Sequence, residues 1–158
     1  MIEKIWHYAF DIGEIGIVDN GFGISKVFFK DESKKILDNY IKEETPLIQK
    51  TSKQLGEYFK GIRKNFDVPL SINGTGFQSK VWNELKLIPY GKTVAYEEIA
   101  VKIESPKACR AVGMANNKNP ICIIIPCHRV IGKNDSLVGY ASGIKIKKYL
   151  LDLEKNNI

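Results

Sequence analysis

The stretch FDVPLSINGTG, residues 66–76, constrains this chain more than any other. Pro69 removes a backbone donor, and Asn73, Gly74 and Gly76 loosen the backbone, so no helical or strand period runs through it. A chain of 158 residues can bury one core or two small ones, and a break here favours two. The patterns on its two sides differ, a strand meander with helices before it and mainly helices after it. The expected fold is α+β, with a first lobe over residues 1–70 and a second over residues 75–158.

In the first half, residues 4–30 alternate in short runs punctuated by Gly and Asn-Gly, which predicts an antiparallel meander. Ile36, Leu37, Tyr40 and Ile41 have helical spacing within residues 33–42. A second helix is expected after Thr45, its cap, with Pro46 at the first helical position and Gly61 beyond its end. Ile48, Leu55, Phe59 and Ile62 would form its buried stripe.

In the second half, Phe77, Val81, Trp82, Leu85 and Ile88 mark an amphipathic helix. A short helix is expected over residues 96–103, followed closely by another with Ser105 as cap and Pro106 in its first turn. Two helices around a tight turn are the layout of a helix-turn-helix. ICIII, residues 121–125, reads as a buried strand, GKNDSLVGY as a loop or wing, and residues 144–154 as a closing helix.

The charge is uneven. Residues 1–74 carry 11 Lys and Arg against 11 Asp and Glu, whereas residues 75–158 carry 13 against 7, the whole net +6. A basic second lobe fits a polyanion such as nucleic acid, and equally fits a lysine-rich soluble surface. No apolar run is long enough for a membrane span, and MIEKIWHYAF lacks the plan of a secretory signal. The three cysteines, Cys109, Cys122 and Cys127, are odd in number, which predicts a reducing, cytoplasmic setting rather than a disulfide framework. No second cysteine pair or spaced histidine pair completes a zinc site, so no metal is expected.

Cys109, in a helix among alanines, and Cys122, in an aliphatic run, read as small buried hydrophobes. Cys127 differs because Pro126 precedes it and His128 and Arg129 follow. A thiol beside an imidazole and a guanidinium can lose its proton at neutral pH, and the thiolate is the nucleophile. On a strand, Cys127 and His128 would face opposite ways, so a turn or a bridging water would be needed to bring them together.

IPCHRV, together with FQSKVWNELKLIPYGKTVAYEEIA and RAVGMANNKNP, strongly resembles the O6-alkylguanine-DNA alkyltransferases, collinearly from about Phe77 to Glu154. The resemblance implies a small ribonuclease-H-like α/β lobe followed by a helical, winged helix-turn-helix DNA-binding lobe. It implies DNA repair by a single-turnover transfer of a methyl or other alkyl group from O6 of guanine, and from O4 of thymine, to Cys127 after base flipping. The partner would be double-stranded DNA carrying O6-alkylguanine, bound through the minor groove by a monomer. No cofactor and no membrane are implied.

The same resemblance assigns roles. Cys127 matches the alkyl acceptor, His128 the base that draws its proton through a water, and Glu154 the carboxylate behind that histidine. Asn119 matches a hinge asparagine, and Tyr96 a tyrosine that donates to the guanine ring. Arg110 matches the arginine that fills the gap left by the expelled nucleotide. Ala108 and Gly113 would allow close approach to the groove, with Ser105, Lys107 and Arg129 adding DNA contacts. Val130, Tyr140, Ala141 and Ser142 match the alkylguanine pocket; many relatives have glycine where Ser142 stands. Asn116 and Asn117 read as solvated helix-end residues. A binding-only relative would lack the cysteine, a helix-turn-helix regulator would not need the Cys127–His128–Glu154 set, and a Cys-His hydrolase would turn over repeatedly.

Overall fold

The computed structural model describes residues 2–30, 39–133, 136–137 and 139–158. The chain forms two compact units, Met1–Ile72 and Asn73–Ile158.

In the first unit, β1 (Lys4–Phe10), β2 (Gly13–Asp19) and β3 (Ile24–Phe29) form the expected antiparallel meander. A two-residue strand, β4 (Ile41–Lys42), joins its edge parallel to β1, so the sheet order is β3-β2-β1-β4. At Gly16 an added Cβ would come within 2.6 Å of the cross-strand Phe28 ring, so a larger residue would force that ring to move. The helix expected over residues 33–42 falls mostly outside the described residues; Ile41 and Lys42 pair with the sheet instead. There, sheet pairing outweighs the local helical spacing.

α1 (Pro46–Phe59) begins as expected, with the Thr45 hydroxyl accepting from the Ile48 amide at 3.1 Å and Pro46 in the first turn. Its fully buried residues include Ile48, Leu55 and Tyr58. Burial of each such side chain contributes roughly 1.5–3 kcal/mol. Ile62 is a correction to the expected stripe: it is 71% exposed, because the helix ends at Phe59 and a turn at Gly61 (φ 74°) redirects the chain. The segment after α1 stays tied to the first unit through Ile24 N–Pro69 O (2.9 Å) and Ser71 N–Ile24 O (2.8 Å).

The second unit opens with α2 (Gly76–Leu85). Thr75 and Gln78 form a capping box there, a start signal inside the stretch read only as a boundary. The Trp82 indole donates to the Ala115 carbonyl at 2.8 Å and bolts α2 to α4 (Cys109–Asn117). α3 (Tyr96–Lys102) precedes α4, giving the helix-turn-helix. β5 (Val94–Ala95) pairs in parallel with β6 (Val130–Ile131), and α5 (Ile144–Lys155) closes the unit.

Two local expectations are corrected. Ser105 does not cap α4: its carbonyl accepts from Ala108 N at 2.9 Å in a separate turn, and the helix starts at Cys109 without a side-chain cap. ICIII is buried but is not a strand. Ile124 N bonds Cys122 O at 2.8 Å, Ile125 N bonds Ile121 O at 3.0 Å, and Ile123 has φ 71°. The run folds into a tight turn because its amides are spent locally. A short apolar run alone does not distinguish the two forms. Within the expected wing, Asn134, Asp135 and Val138 lie outside the described residues.

Candidate active site

Cys127, His128 and Arg129 form one 3-10 turn, entered through Pro126 and left into β6. The turn removes the strand alternation that would have separated the thiol from the imidazole. Asn119 braces its approach: its side-chain amide donates to Ile125 O at 2.7 Å, and its carbonyl oxygen accepts from Ile121 N at 3.0 Å. The asparagine thus spans the tight turn in which Ile123, β-branched, holds a left-handed conformation. Such a conformation costs about 1–3 kcal/mol and persists only where the surroundings fix it. Asn116, read as solvated, is 1% exposed, and its amide donates to Cys127 O at 3.3 Å.

Behind the turn lies Glu154 of α5, 1% exposed. Its Oε2 is 2.6 Å from His128 Nε2. Arg129 grips the same carboxylate through Nε at 2.8 Å and a second nitrogen at 3.1 Å, and Gly91 N donates to it at 3.0 Å. Burial alone would raise the Glu154 carboxyl, but its bonds to His128 and Arg129 hold it far below the usual carboxylate range. A carboxylate only accepts, so His128 Nε2 carries the hydrogen. His128 is fully buried, and burial keeps its ring neutral against the pull of Glu154. Its Nδ1 is then a lone-pair acceptor, with no protein partner among the described residues.

Arg129 requires a correction. It was expected to contact DNA, yet it is 6% exposed, donates to Ile88 O at 2.7 Å and lies 5.7 Å over the Tyr90 ring. Its guanidinium is engaged inside the protein and has no face for a phosphate. Nor does it help ionise the thiol. Cys127 is 5% exposed, and burial raises its pKa; Asn119, Lys147 and Tyr140 oppose that rise. Burial thus holds Cys127 toward the thiol at neutral pH, not toward the thiolate that the neighbouring charges suggest.

Tyr96 opens α3 beside the thiol; burial raises its hydroxyl and Cys127's charge adds to the effect. Gly139 (φ 66°) passes so close that an added Cβ would lie 3.2 Å from the Tyr96 hydroxyl. The outer face of α4 carries Arg110, Ala111, Met114 and Asn117, all exposed, with Lys107 exposed just before the helix and Lys118 just after it. Ser105, Ala108 and Gly113 are half-buried, and Gly113 turns its open side to the Tyr96 ring rather than to solvent. Of the expected pocket wall, Val130 and Tyr140 are buried, Ser142 is half-buried and Ala141 is exposed. A cleft of about 240 Å³ is lined by Ala95, Tyr96, Cys109, Ile131, Gly132 and their neighbours.

Lys147 joins the site without any motif in the sequence to mark it. It is 0% exposed, and its Nζ donates to Val130 O at 2.5 Å. Its place was visible: Lys147, Leu150 and Glu154 share the buried stripe of α5.

Residues 76–156 match the family described as 6-O-methylguanine DNA methyltransferase, DNA binding domain, and residues 6–72 match its ribonuclease-like domain. The chain belongs to the 6-O-methylguanine DNA methyltransferase family. Among members of this methyltransferase family, the methylated-DNA–protein-cysteine methyltransferase of Methanosarcina mazei is 54% identical over 132 residues, 84% of each chain. The constitutive Bacillus subtilis protein of the same name is 46% identical over 149 residues, covering 91% of this chain and 90% of its own. The crystal structure of Mycobacterium tuberculosis O6-methylguanine methyltransferase superposes with TM-score 0.92 at 38% identity, covering 99% of this chain and 95% of that one. The M. tuberculosis protein in complex with DNA gives 0.88 at 39% identity, covering 99% and 94%. The mixed α+β architecture of this methyltransferase, a sheet lobe followed by a helical DNA-binding domain, is that of the family.

Proposed function

We propose that this chain is a DNA-repair methyltransferase that moves the alkyl group of O6-alkylguanine onto its own Cys127, once per molecule. The observation that carries this reading is His128: one ring nitrogen is fixed by Glu154 and the other is open, on the same turn as the thiol. That arrangement makes a neutral imidazole a proton acceptor with a set tautomer.

Duplex DNA binds along the exposed face of α4, through the minor groove, with Arg110 filling the gap left by the lesion. Moving the base out of the stack costs a few kcal/mol, less for a weakened pair. The Cys127 proton passes through a water to His128 Nδ1. The sulfur then attacks the alkyl carbon in line: the S–C bond forms, the C–O6 bond breaks, and the electron pair leaves on the base. Tyr96 donates a hydrogen bond to the base and offsets its developing charge. The proton held at His128 balances the departing guanine. Val130, Tyr140, Ala141 and Ser142 line the space the base enters, and O4 of an alkylated thymine presents the same ether carbon. The thioether is not hydrolysed, so the protein is consumed. It acts as a monomer inside the cell and needs no cofactor.

The test is Cys127→Ala. The variant is expected to lose all transfer from O6-methylguanine duplex while still binding that duplex. Retained transfer would place the acceptor elsewhere.

A further inference from the structure

One residue on the outer face of α4 is of the wrong chemical kind for a polyanion. Residues 105–134 hold no Asp or Glu, and Lys107, Arg110 and Lys118 carry positive charge along the helix. That charge complements a phosphate backbone. In the middle of this face stands Met114, 63% exposed. A single exposed apolar side chain on an ordinary surface needs no explanation. Met114 has a particular place: it follows Arg110 by four residues, hence about 40° around the helix axis and about 6 Å along it.

The helix offers Met114 little to pack on. Val112, Ala115 and Asn116 form the buried side of α4. The neighbours of Met114 on the helix surface, three and four residues away, are Arg110, Ala111, Asn117 and Lys118, all exposed. Two of them are cations and none is a large apolar group. The side chain is long, unbranched and flexible, and its thioether is only a weak acceptor.

Six ångströms along the helix is about two base-pair steps of duplex, at about 3.4 Å each. With Arg110 in the gap left by the lesion, Met114 therefore meets the groove at an intact pair. The minor-groove floor differs between pairs by one group, the exocyclic amine of guanine. Over an A·T pair the floor is open to an apolar chain. Over G·C the amine stands in its way and loses its water to a group that accepts poorly.

We infer that Met114 is a specificity residue for the pair about two steps from the lesion: its side chain lies in the minor groove and disfavours a guanine amine there. The inference rests on α4 docking in the minor groove with Arg110 at the lesion. The contact is apolar, so it selects among sequences without adding a phosphate contact.

The experiment measures the rate of methyl transfer from O6-methylguanine duplexes in which one flanking pair, one to three steps to either side, is A·T, G·C or inosine·C. Inosine removes the amine and keeps the rest of the guanine ring. The wild type is expected to act about fivefold or more faster on A·T and inosine·C than on G·C at a position about two steps away, as an unpaired buried donor would cost. Met114→Ala and Met114→Gln are expected to lose that difference, Gln because its amide oxygen accepts from the amine. Pair strength alters base displacement in all three proteins alike, so comparison with Met114→Ala isolates the side chain. No effect of the amine in the wild type at any position, or the same effect in Met114→Ala, overturns the inference. Both variants are expected to unfold at the wild-type temperature, as substitution at an exposed position would. A clear fall in both would make Met114 a packing residue and overturn the inference as well. Failure of the wild type to take a methyl group onto Cys127 from any of these duplexes would sink the repair reading and this inference with it. Normal transfer with an amine effect indifferent to Met114 would sink only the specificity assigned here.

Discussion

His128 Nε2 and Glu154 Oε2 lie 2.6 Å apart inside the second unit, joining a 3-10 turn to a helix 26 residues further along the chain. The pair sets which imidazole nitrogen carries the hydrogen and leaves the other facing away from the carboxylate. Arg129 completes it from the same turn, so one carboxylate orders both residues that follow the cysteine.

Replacing Glu154 by Gln leaves the Arg129 guanidinium buried without its anion, which is expected to cost about 3–5 kcal/mol at pH 7. The pH dependence has a definite sign. The Glu154 carboxyl is held below its ordinary 4.5, so its contribution is present above that value and is lost as pH falls below it. His128 is lowered from 6.5, so the folded state resists its protonation and stability also declines as pH drops through 6.5. Denaturant unfolding from pH 7 to 3 checks this: Glu154→Gln should flatten the limb below pH 4.5, and an unaltered limb would contradict the assignment.

Arg129 and the exposed cations of α4 should part company in salt titrations of DNA binding. Lys118→Ala, at an exposed position, is expected to reduce the slope of log K against log salt by about one, as a lost phosphate contact would. Arg129→Leu should leave the slope alone and lower the unfolding temperature. A reduced slope in Arg129→Leu would return that residue to the DNA interface.

Much of the fold was legible because it depends on local signals. The meander followed from alternation and turns, and Thr45-Pro46 placed the start of α1. The misreadings arose where tertiary contacts decide. Ile62 has helical spacing but lies past a glycine turn, and ICIII is apolar enough for a strand yet is wound by Asn119 and by its own amides. In the site, Cys127 and His128 stood out by their neighbours and took their roles from the family resemblance, Glu154 was reached through that resemblance alone, and the burial of Arg129, Asn116 and Lys147 was not reached. A charged side chain in a sequence reads as exposed. The pairing that keeps it inside lies in residues distant along the chain, as Glu154 is from Arg129.

Lys147→Met should also change stability. The ammonium is pushed down from 10.5 to about 8, so its burial penalises the folded state below pH 8, and that penalty lifts as pH rises toward 10.5. Methionine removes the penalty but leaves the Val130 carbonyl without this donor, for a net gain of roughly 1 kcal/mol at pH 7. The gain should shrink between pH 8 and 10.5 in chemical denaturation. A loss at pH 7, constant with pH, would contradict this account of the buried charge.

Arg110→Ala separates base displacement from chemistry. The variant is expected to slow repair of duplex by about tenfold or more, as loss of a group that offsets unstacking would, with little change toward free O6-benzylguanine. Equal losses on both substrates would remove Arg110 from the stack.

The most direct measurement counts methyl groups. The protein is incubated with an excess of duplex carrying O6-methylguanine, digested, and analysed by peptide mass spectrometry alongside the DNA. One methyl group per chain, on the sulfur of Cys127, with an equal amount of guanine restored, is the predicted result. An unmethylated Cys127 with lesion still being removed, or more lesions repaired than protein chains present, would contradict the account.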